Sequence, residues 1–184
     1  TQFFKDHSAS IITYNDSPDI GFNASINPYR GCEHGCAYCY ARPTHEYLGF
    51  SAGLDFESRI MVKENAPELL RQELAAPRWQ PQVLAMSGVT DPYQPIERKL
   101  QITRRCLEVL AEFRNPVGII TKNQLVARDA DHLAQLAQHQ AAMVYICLTT
   151  LDTDLRKCLE PRTSPPVARL QAITQLSQAG VPVG

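Results

Sequence analysis

Residues 82–122, QVLAMSGVTDPYQPIERKLQITRRCLEVLAEFRNPVGIITK, decide the fold of this 184-residue chain. QVLAM and VGIITK are short apolar runs that read as buried strands. Between them TRRCLEVLAEF repeats apolar residues at helical spacing, with Cys106, Val109, Leu110 and Phe113 on one face. A strand that returns to a strand through a helix predicts a parallel pair joined by a crossover.

The same cycle extends outward in both directions. Upstream, PELLRQELAA places Pro67 in a first helical turn and Leu70 and Leu74 on a shared face. Before it, residues 27–65 read as a polar, proline-containing loop. Downstream, DHLAQLAQHQ aligns Leu133, Leu136 and Ala137 and runs into the apolar stretch AMVYICLTT. Ser164 and Pro165 then offer an N-cap and a first-turn proline to VARLQAITQLSQ. Gly180 stops that helix, and VPVG opens another strand. The expected class is α/β, a parallel sheet wrapped by crossover helices, either as a barrel or as an open doubly wound sheet. An edge left open at Gly184 leads to the expectation that the protein continues.

Lys and Arg number 18 against 19 Asp and Glu, a net charge of -1, so no global field gathers polyanions or anionic membranes. The longest apolar run, Ala141 to Leu148, is far short of the roughly 18 residues that span a bilayer. The opening TQFFKDHSAS has neither a signal core nor an initiating Met. Of six cysteines, three fall within eight residues, too close for a framework of disulfides. The expected compartment is the cytoplasm, with no membrane association.

In parallel α/β folds ligands meet the carboxyl ends of the strands. Those ends are polar here: Ser87, Thr90 and Asp91 after QVLAM; Thr121, Lys122 and Asn123 after VGII; Thr149, Thr150 and Asp152 after VYICL. The plain reading is that such residues cap helices and shape loops. A lysine just past a buried strand is harder to dismiss and is expected to face a pocket. The most specific motif is GCEHGCAYC, in which Cys32, Cys36 and Cys39 have the spacing CxxxCxxC with glycines at the turns. Three thiolates can hold three irons of a cubane cluster and leave one iron open, whereas a closed zinc site would want a fourth ligand. Cys106, Cys147 and Cys158 read as structural, the first two as small core residues.

NPYRGCEHGCAYCYARPTHEYLGFSAGLDFESRI, residues 27–60, resembles the radical S-adenosylmethionine (SAM) superfamily, in particular an uncharacterised, DNA repair photolyase-like branch related to spore photoproduct lyase. The likeness continues through TDPYQPIE, TKN, TTLD and LEPRTSPP. It implies a partial parallel (β/α)6 barrel of which about five strands are present. Residues 1–25 would be an N-terminal extension and residues 26–184 an incomplete radical SAM core domain.

The resemblance also implies a 4Fe-4S cluster on Cys32, Cys36 and Cys39 whose open iron chelates S-adenosylmethionine. Reductive cleavage to a 5′-deoxyadenosyl radical would follow, with hydrogen abstraction from an unidentified substrate. A flavodoxin- or ferredoxin-type protein would be the electron donor. By the same resemblance Tyr38 covers the cluster or the adenine, Thr90 and Asp91 lie near the methionyl amino group, and Lys122 meets the carboxylate. Thr150 approaches the ribose, and Arg162 is a further carboxylate partner or a helix cap. One departure concerns substrate: AMSGVTD has Gly88 where the lyase carries a hydrogen-donating cysteine, which speaks against lyase chemistry. Arg98, Lys99, Arg104 and Arg105 offer a nucleic-acid contact, against the plainer reading of a solvated helix start. The alternative to the enzyme is a noncatalytic zinc-binding or iron-sulfur electron-transfer module built on the same loop.

Overall fold

The computed structural model describes residues 1–16, 18 and 21–184; the part of the expected N-terminal extension at positions 17, 19 and 20 lies outside the described residues. In chain order come strands β1 (Gln2–Lys5), β2 (Ile12–Tyr14), β3 (Ala24–Ile26) and β4 (Tyr29–Arg30), then a 3-10 helix at Arg42–Leu48. Helix α1 (Asp55–Ser58), strand β5 (Arg59–Val62), helix α2 (Ala66–Leu74) and strand β6 (Leu84–Met86) follow. Next are α3 (Glu97–Leu100), α4 (Ile102–Phe113), β7 (Val117–Thr121) and a second 3-10 helix at Gln124–Asp129. The chain ends with α5 (Ala130–Ala137), β8 (Ala142–Ile146), α6 (Thr153–Leu159) and α7 (Pro166–Gln178).

The strands form two mixed sheets. A five-stranded sheet has the order β2-β3-β6-β7-β8, in which β2 is antiparallel to β3 and the other neighbours run parallel. Ala24 pairs with Leu84, Leu84 with Val117 and Val117 with Ala142, so the parallel strands start in step and their carboxyl ends share one rim. Val183 continues the series through a parallel bridge to Val144. A second, three-stranded sheet has the order β1-β5-β4. The structure is thus an α/β fold of mixed parallel and antiparallel sheets. β4, α1, β5 and a 3-10 helix occupy the stretch read as loop from the sequence.

Burial explains the order. Leu107, Leu110 and Cys106 of α4, Leu133 and Leu136 of α5, and Leu70 of α2 pack against Leu84, Met86, Ile119 and Val144 of the sheet. Burying one such aliphatic side chain stabilises the fold by about 1.5–3 kcal/mol. Along β7 and β8 burial alternates: Val117, Ile119, Val144 and Ile146 are covered, while Ile120, Met143 and Tyr145 are exposed on the opposite face. No helix among the described residues is long and apolar enough to cross a membrane.

Two local expectations change. α7 has Pro165 at its N-cap without a side-chain cap. Ser164 instead donates to Asn123 Oδ1 (2.9 Å) and accepts from the Gln124 amide (2.9 Å), tying α7 to the end of β7. Cys106 is fully buried, as its helical pattern indicates, but Cys147 is only partly covered and Cys158 is exposed.

Candidate functional site

β3 delivers the chain through β4 to the three-cysteine loop, and β6, β7 and β8 deliver their polar ends to the same rim. Gly31, with φ at +80°, turns the loop; a Cβ there would lie 2.8 Å from Phe56 O and 2.9 Å from His45 Cε1. Gly35, with φ at +65°, sits under the Glu57 and Arg162 head groups, which a Cβ would strike.

Side chains from distant elements hold the loop peptides one by one. Thr90 Oγ1 donates to Gly31 O (2.7 Å), and Gln94 donates to the same carbonyl (3.2 Å) while accepting from the Glu33 amide (2.9 Å). Arg42 donates to Cys36 O (3.1 Å), Arg162 donates to Glu33 O, and both guanidinium groups meet Glu57. Ala37 N donates to Leu159 O (2.9 Å). The loop is therefore fixed by protein groups, of which the sequence pattern had singled out only Thr90 and Arg162.

His34, between the first two cysteines, is buried. Its Nδ1 lies 3.2 Å from Asp91 Oδ2, and its Nε2 lies 3.4 Å from Asn123 Nδ2. Burial by itself would lower the imidazole pKa; the Asp91 carboxylate and then the Cys32 sulfur overcome that and raise it to about 10. Burial works against ionised Asp91 too, and the His34 charge, the Lys122 amide and the Thr121 hydroxyl outweigh it, so the carboxyl falls below its ordinary value. Asp91 accepts from Thr121 Oγ1 (2.7 Å), Lys122 N (2.8 Å) and Tyr93 N (2.8 Å). Its oxygens are engaged within the fold.

Around the rim lies a pocket of about 90 Å³, lined by Cys32, Cys36, Cys39 and Cys147, by Tyr40, Val89 and Ile120, and by the Lys122 side chain. Lys122 Nζ stands 5.8 Å from the Tyr38 ring centroid. Burial lowers its pKa, but the neighbouring Cys147, Tyr38, Cys36 and Asp91 more than restore it, so the ammonium stays charged. Among the described residues it has no carboxylate within salt-bridge distance. Tyr38 reaches the other way, its hydroxyl bonded to Glu160 and to Thr149 Oγ1 (3.0 Å). Thr150 accepts from the Asp152 amide (3.1 Å), and Asp152 caps α6 through the amides of Asp154 (2.8 Å) and Leu155 (2.9 Å).

The structure thus gathers Cys32, Cys36, Cys39, Thr90, Asp91 and Lys122 at one pocket. Tyr38 stands beside it, and Thr150 and Arg162 are held by neighbouring loops. Tyr40 and Cys147 also line it and were not picked out. Tyr40 follows the last cysteine and donates to Gly88 O (2.7 Å), with no spacing rule to flag it. Cys147 lies one residue past β8, where an apolar run no longer implies burial.

The expected iron-sulfur chemistry is corrected by the donor geometry. Among the described residues no three Cys, His, Asp or Glu side chains come together in an arrangement that could hold a metal ion. Burial pushes the Cys36 thiol up to about 12, beyond what Lys122 offsets, and burial likewise raises Cys39. The residues as placed do not fit a 4Fe-4S cluster. With it fall the S-adenosylmethionine bound to its open iron, the radical-generating activity and the description of the chain as a metal-binding enzyme. Of the alternative reading, the noncatalytic role agrees better with the site, while its zinc or iron-sulfur centre meets the same lack of a ligand set among the described residues.

The sequence model of the Radical SAM superfamily matches residues 26–184, most of the chain. The chain belongs to the radical SAM superfamily. An uncharacterized protein of Mycobacterium tuberculosis (strain H37Rv) is 40% identical over 162 residues, covering 88% of this chain and 48% of the relative. An uncharacterized protein of Methanocaldococcus jannaschii is 30% identical over 156 residues, covering 85% of this chain and 56% of the relative. The chain thus spans about half the length of these relatives. Its fold is similar to that of spore photoproduct lyase complexed with dinucleoside spore photoproduct, with a TM-score of 0.68 at 16% identity over 99% of this chain and 49% of the lyase. A lyase variant with bound AdoMet and dinucleoside spore photoproduct gives a TM-score of 0.69 at 16% identity, again over 99% of this chain and 49% of the other. Kinship to spore photoproduct lyase is therefore shown at the level of fold.

Proposed function

We propose that this chain is a noncatalytic binding module on the radical SAM fold, whose rim pocket takes a small carboxylate-bearing ligand. The observation that carries the reading is Lys122: a charged ammonium without a carboxylate partner among the described residues, directed into a pocket that also offers the apolar surfaces of Val89 and Ile120. A buried or half-buried charge without a counterion is costly, and a ligand carboxylate removes that cost through a charge-assisted hydrogen bond. At about 90 Å³ the pocket has room for a handful of water-sized groups, the scale of an amino acid.

In this reading Lys122 binds the carboxylate, while Tyr38 backs the ammonium and Thr150 lends a hydroxyl at the rim. Thr90, Asp91 and Arg162 hold the loop that forms one wall, and Cys32, Cys36 and Cys39 line that wall. The parallel strands are proposed to be part of a (β/α)6 barrel, with Ile120, Met143 and Tyr145 on its inner face. Residues 26–184 would form the core and residues 1–25 an extension whose strands β1 and β2 pair into the two sheets. Six free cysteines favour a reducing compartment, the cytoplasm.

Calorimetric titration with alanine, methionine and their amides tests the reading. The amino acids should bind and the amides should not. Formation of 5′-deoxyadenosine from S-adenosylmethionine, after anaerobic treatment with iron, sulfide and reductant, would overturn it.

A further inference from the structure

Two cavities adjoin on the outer flank of the rim. One, of about 320 Å³, is lined by Arg98, Arg162, Thr163 and Ser164. The other, of about 310 Å³, is lined by Arg128, Ala168, Gln171, Ala172 and Gln175. They share Arg98, Gln124 and Leu125, so the two form one continuous groove with Arg98 at the junction. Each is already within the roughly 300–1,000 Å³ range of small-molecule sites.

The lining is unusual for a chain with a net charge of -1. Three arginines face the groove, and among the described residues no Asp or Glu lines either cavity. Arg162 and Arg128 have carboxylate partners: Glu57 for the first, Glu97 and Asp129 for the second. Arg98 has none among the described residues and keeps its full set of donors. Its sequence neighbours Arg104 and Arg105 are different, since Arg104 is bound by Asp129 and Asp131 and Arg105 faces Glu68. Of the basic residues noted in the sequence, Arg98 and Lys99 are thus left unpaired among the described residues; Lys99 faces a separate cavity beside Phe3, Phe4 and Leu100, and Arg98 faces this groove.

The two ends of the groove differ in chemistry. The Arg98–Arg162 end offers the unpaired Arg98 guanidinium, which matches phosphate geometry with paired donors, beside Arg162, whose Nε and one terminal nitrogen are committed to Glu33 O and Glu57. The far end places Ala168, Gln171, Ala172 and Gln175 on the same face of α7, so that two amides that both donate and accept flank small side chains, of which Ala172 is almost fully buried. A phosphate at one end and a heteroaromatic base at the other would satisfy both.

We propose that this groove binds a nucleoside phosphate, with its phosphate at Arg98 and its base against the Gln171 and Gln175 face of α7. The site is separate from the Lys122 pocket. Asn123, which lines the phosphate end, also contacts His34 of the cysteine loop.

The test is calorimetric titration of the whole chain with ADP, inorganic pyrophosphate and adenosine. ADP should bind saturably at one per chain, pyrophosphate more weakly, and adenosine weakest. Arg98→Ala, an exposed position whose replacement leaves the core untouched, should weaken both phosphate ligands by about tenfold, the worth of one charge-assisted contact. Gln175→Ala should weaken ADP and leave pyrophosphate unchanged. Arg105→Ala, which faces Glu68 outside the groove, should change nothing, and Lys122→Met should leave ADP binding intact. Absence of saturable binding at millimolar ADP, unchanged affinity in Arg98→Ala, or an equal loss in Arg105→Ala would overturn the proposal. So would pyrophosphate binding as tightly as ADP, which would mark a simple anion site.

Discussion

His34 Nδ1 and Asp91 Oδ2 lie 3.2 Å apart, and this buried contact fastens the middle of the cysteine loop to the end of β6. The loop is therefore part of the fold's load path, and its geometry depends on groups 57 positions away in sequence.

Asp91→Ala should destabilise the chain by about 3 kcal/mol, because it removes the acceptor of the buried His34 Nδ1, forces the ring to give up its charge, and strips acceptors from Thr121 and two amides. Chemical denaturation read by circular dichroism measures the loss. Hydrogen exchange should speed up first at residues 31–39. A change below about 0.5 kcal/mol, the ordinary range of surface substitutions, would contradict the contact.

Glu160 and Arg169 form a second buried pair, at 2.5 Å, that carries Tyr38 with it. Burial opposes ionisation of Glu160, and Tyr38, Arg169 and Thr149 reverse that and hold its pKa below the ordinary 4.5. A depressed folded-state pKa gives stability that is complete above the unfolded value and is lost as pH falls through the folded one. Glu160→Gln should therefore cost about 3 kcal/mol at pH 7. The gap between variant and wild type should shrink steadily below pH 4.5, and a gap independent of pH would refute the pairing.

The thiols should be slow nucleophiles. With Cys36 raised to about 12 by burial, and Cys39 raised as well, both are protonated at neutral pH, whereas Cys158 is exposed. Iodoacetamide at pH 7.5, followed by mass spectrometry, should label Cys158 well before the loop cysteines, and the lag should narrow as pH rises. Immediate labelling of Cys36 would contradict the assigned protonation.

Much of this architecture was legible from periodicity. α4, α5 and α7 each carry apolar residues at helical spacing, and β6, β7 and β8 fall within the apolar runs that flank them. Three short strands were not legible: β1 is exposed along its whole length, and β4 and β5, though Tyr29, Ile60 and Val62 are buried, are too brief for alternation to register. At the site, strand-end position was informative, placing Lys122, Thr90 and Asp91 at the rim. What spacing could not supply was orientation. CxxxCxxC implied convergence on metal, yet the side chains do not assemble a ligand set. Gln94, Glu57 and Glu160, which brace the loop, belong to no motif because they act through contacts made only after folding.

Gly35→Ala should test how tightly the loop is clamped. Its φ of +65° disfavours any Cβ, and that carbon would displace the Glu57 and Arg162 head groups. A loss of about 1–2 kcal/mol is expected from the backbone alone. Gly49, also at positive φ but with open space around it, should lose less on the same change. Equal melting temperatures for Gly35→Ala and wild type would show that the clamp does not hold.

The binding of a small carboxylate at Lys122 is tested most directly by titrating wild type and Lys122→Met with methionine and following heat release. The account predicts saturable one-to-one binding by the wild type. In Lys122→Met it predicts a loss of about tenfold or more, because the substitution keeps the side chain's length and removes its charge. Equal affinity in the two proteins, or no binding by either, would contradict it.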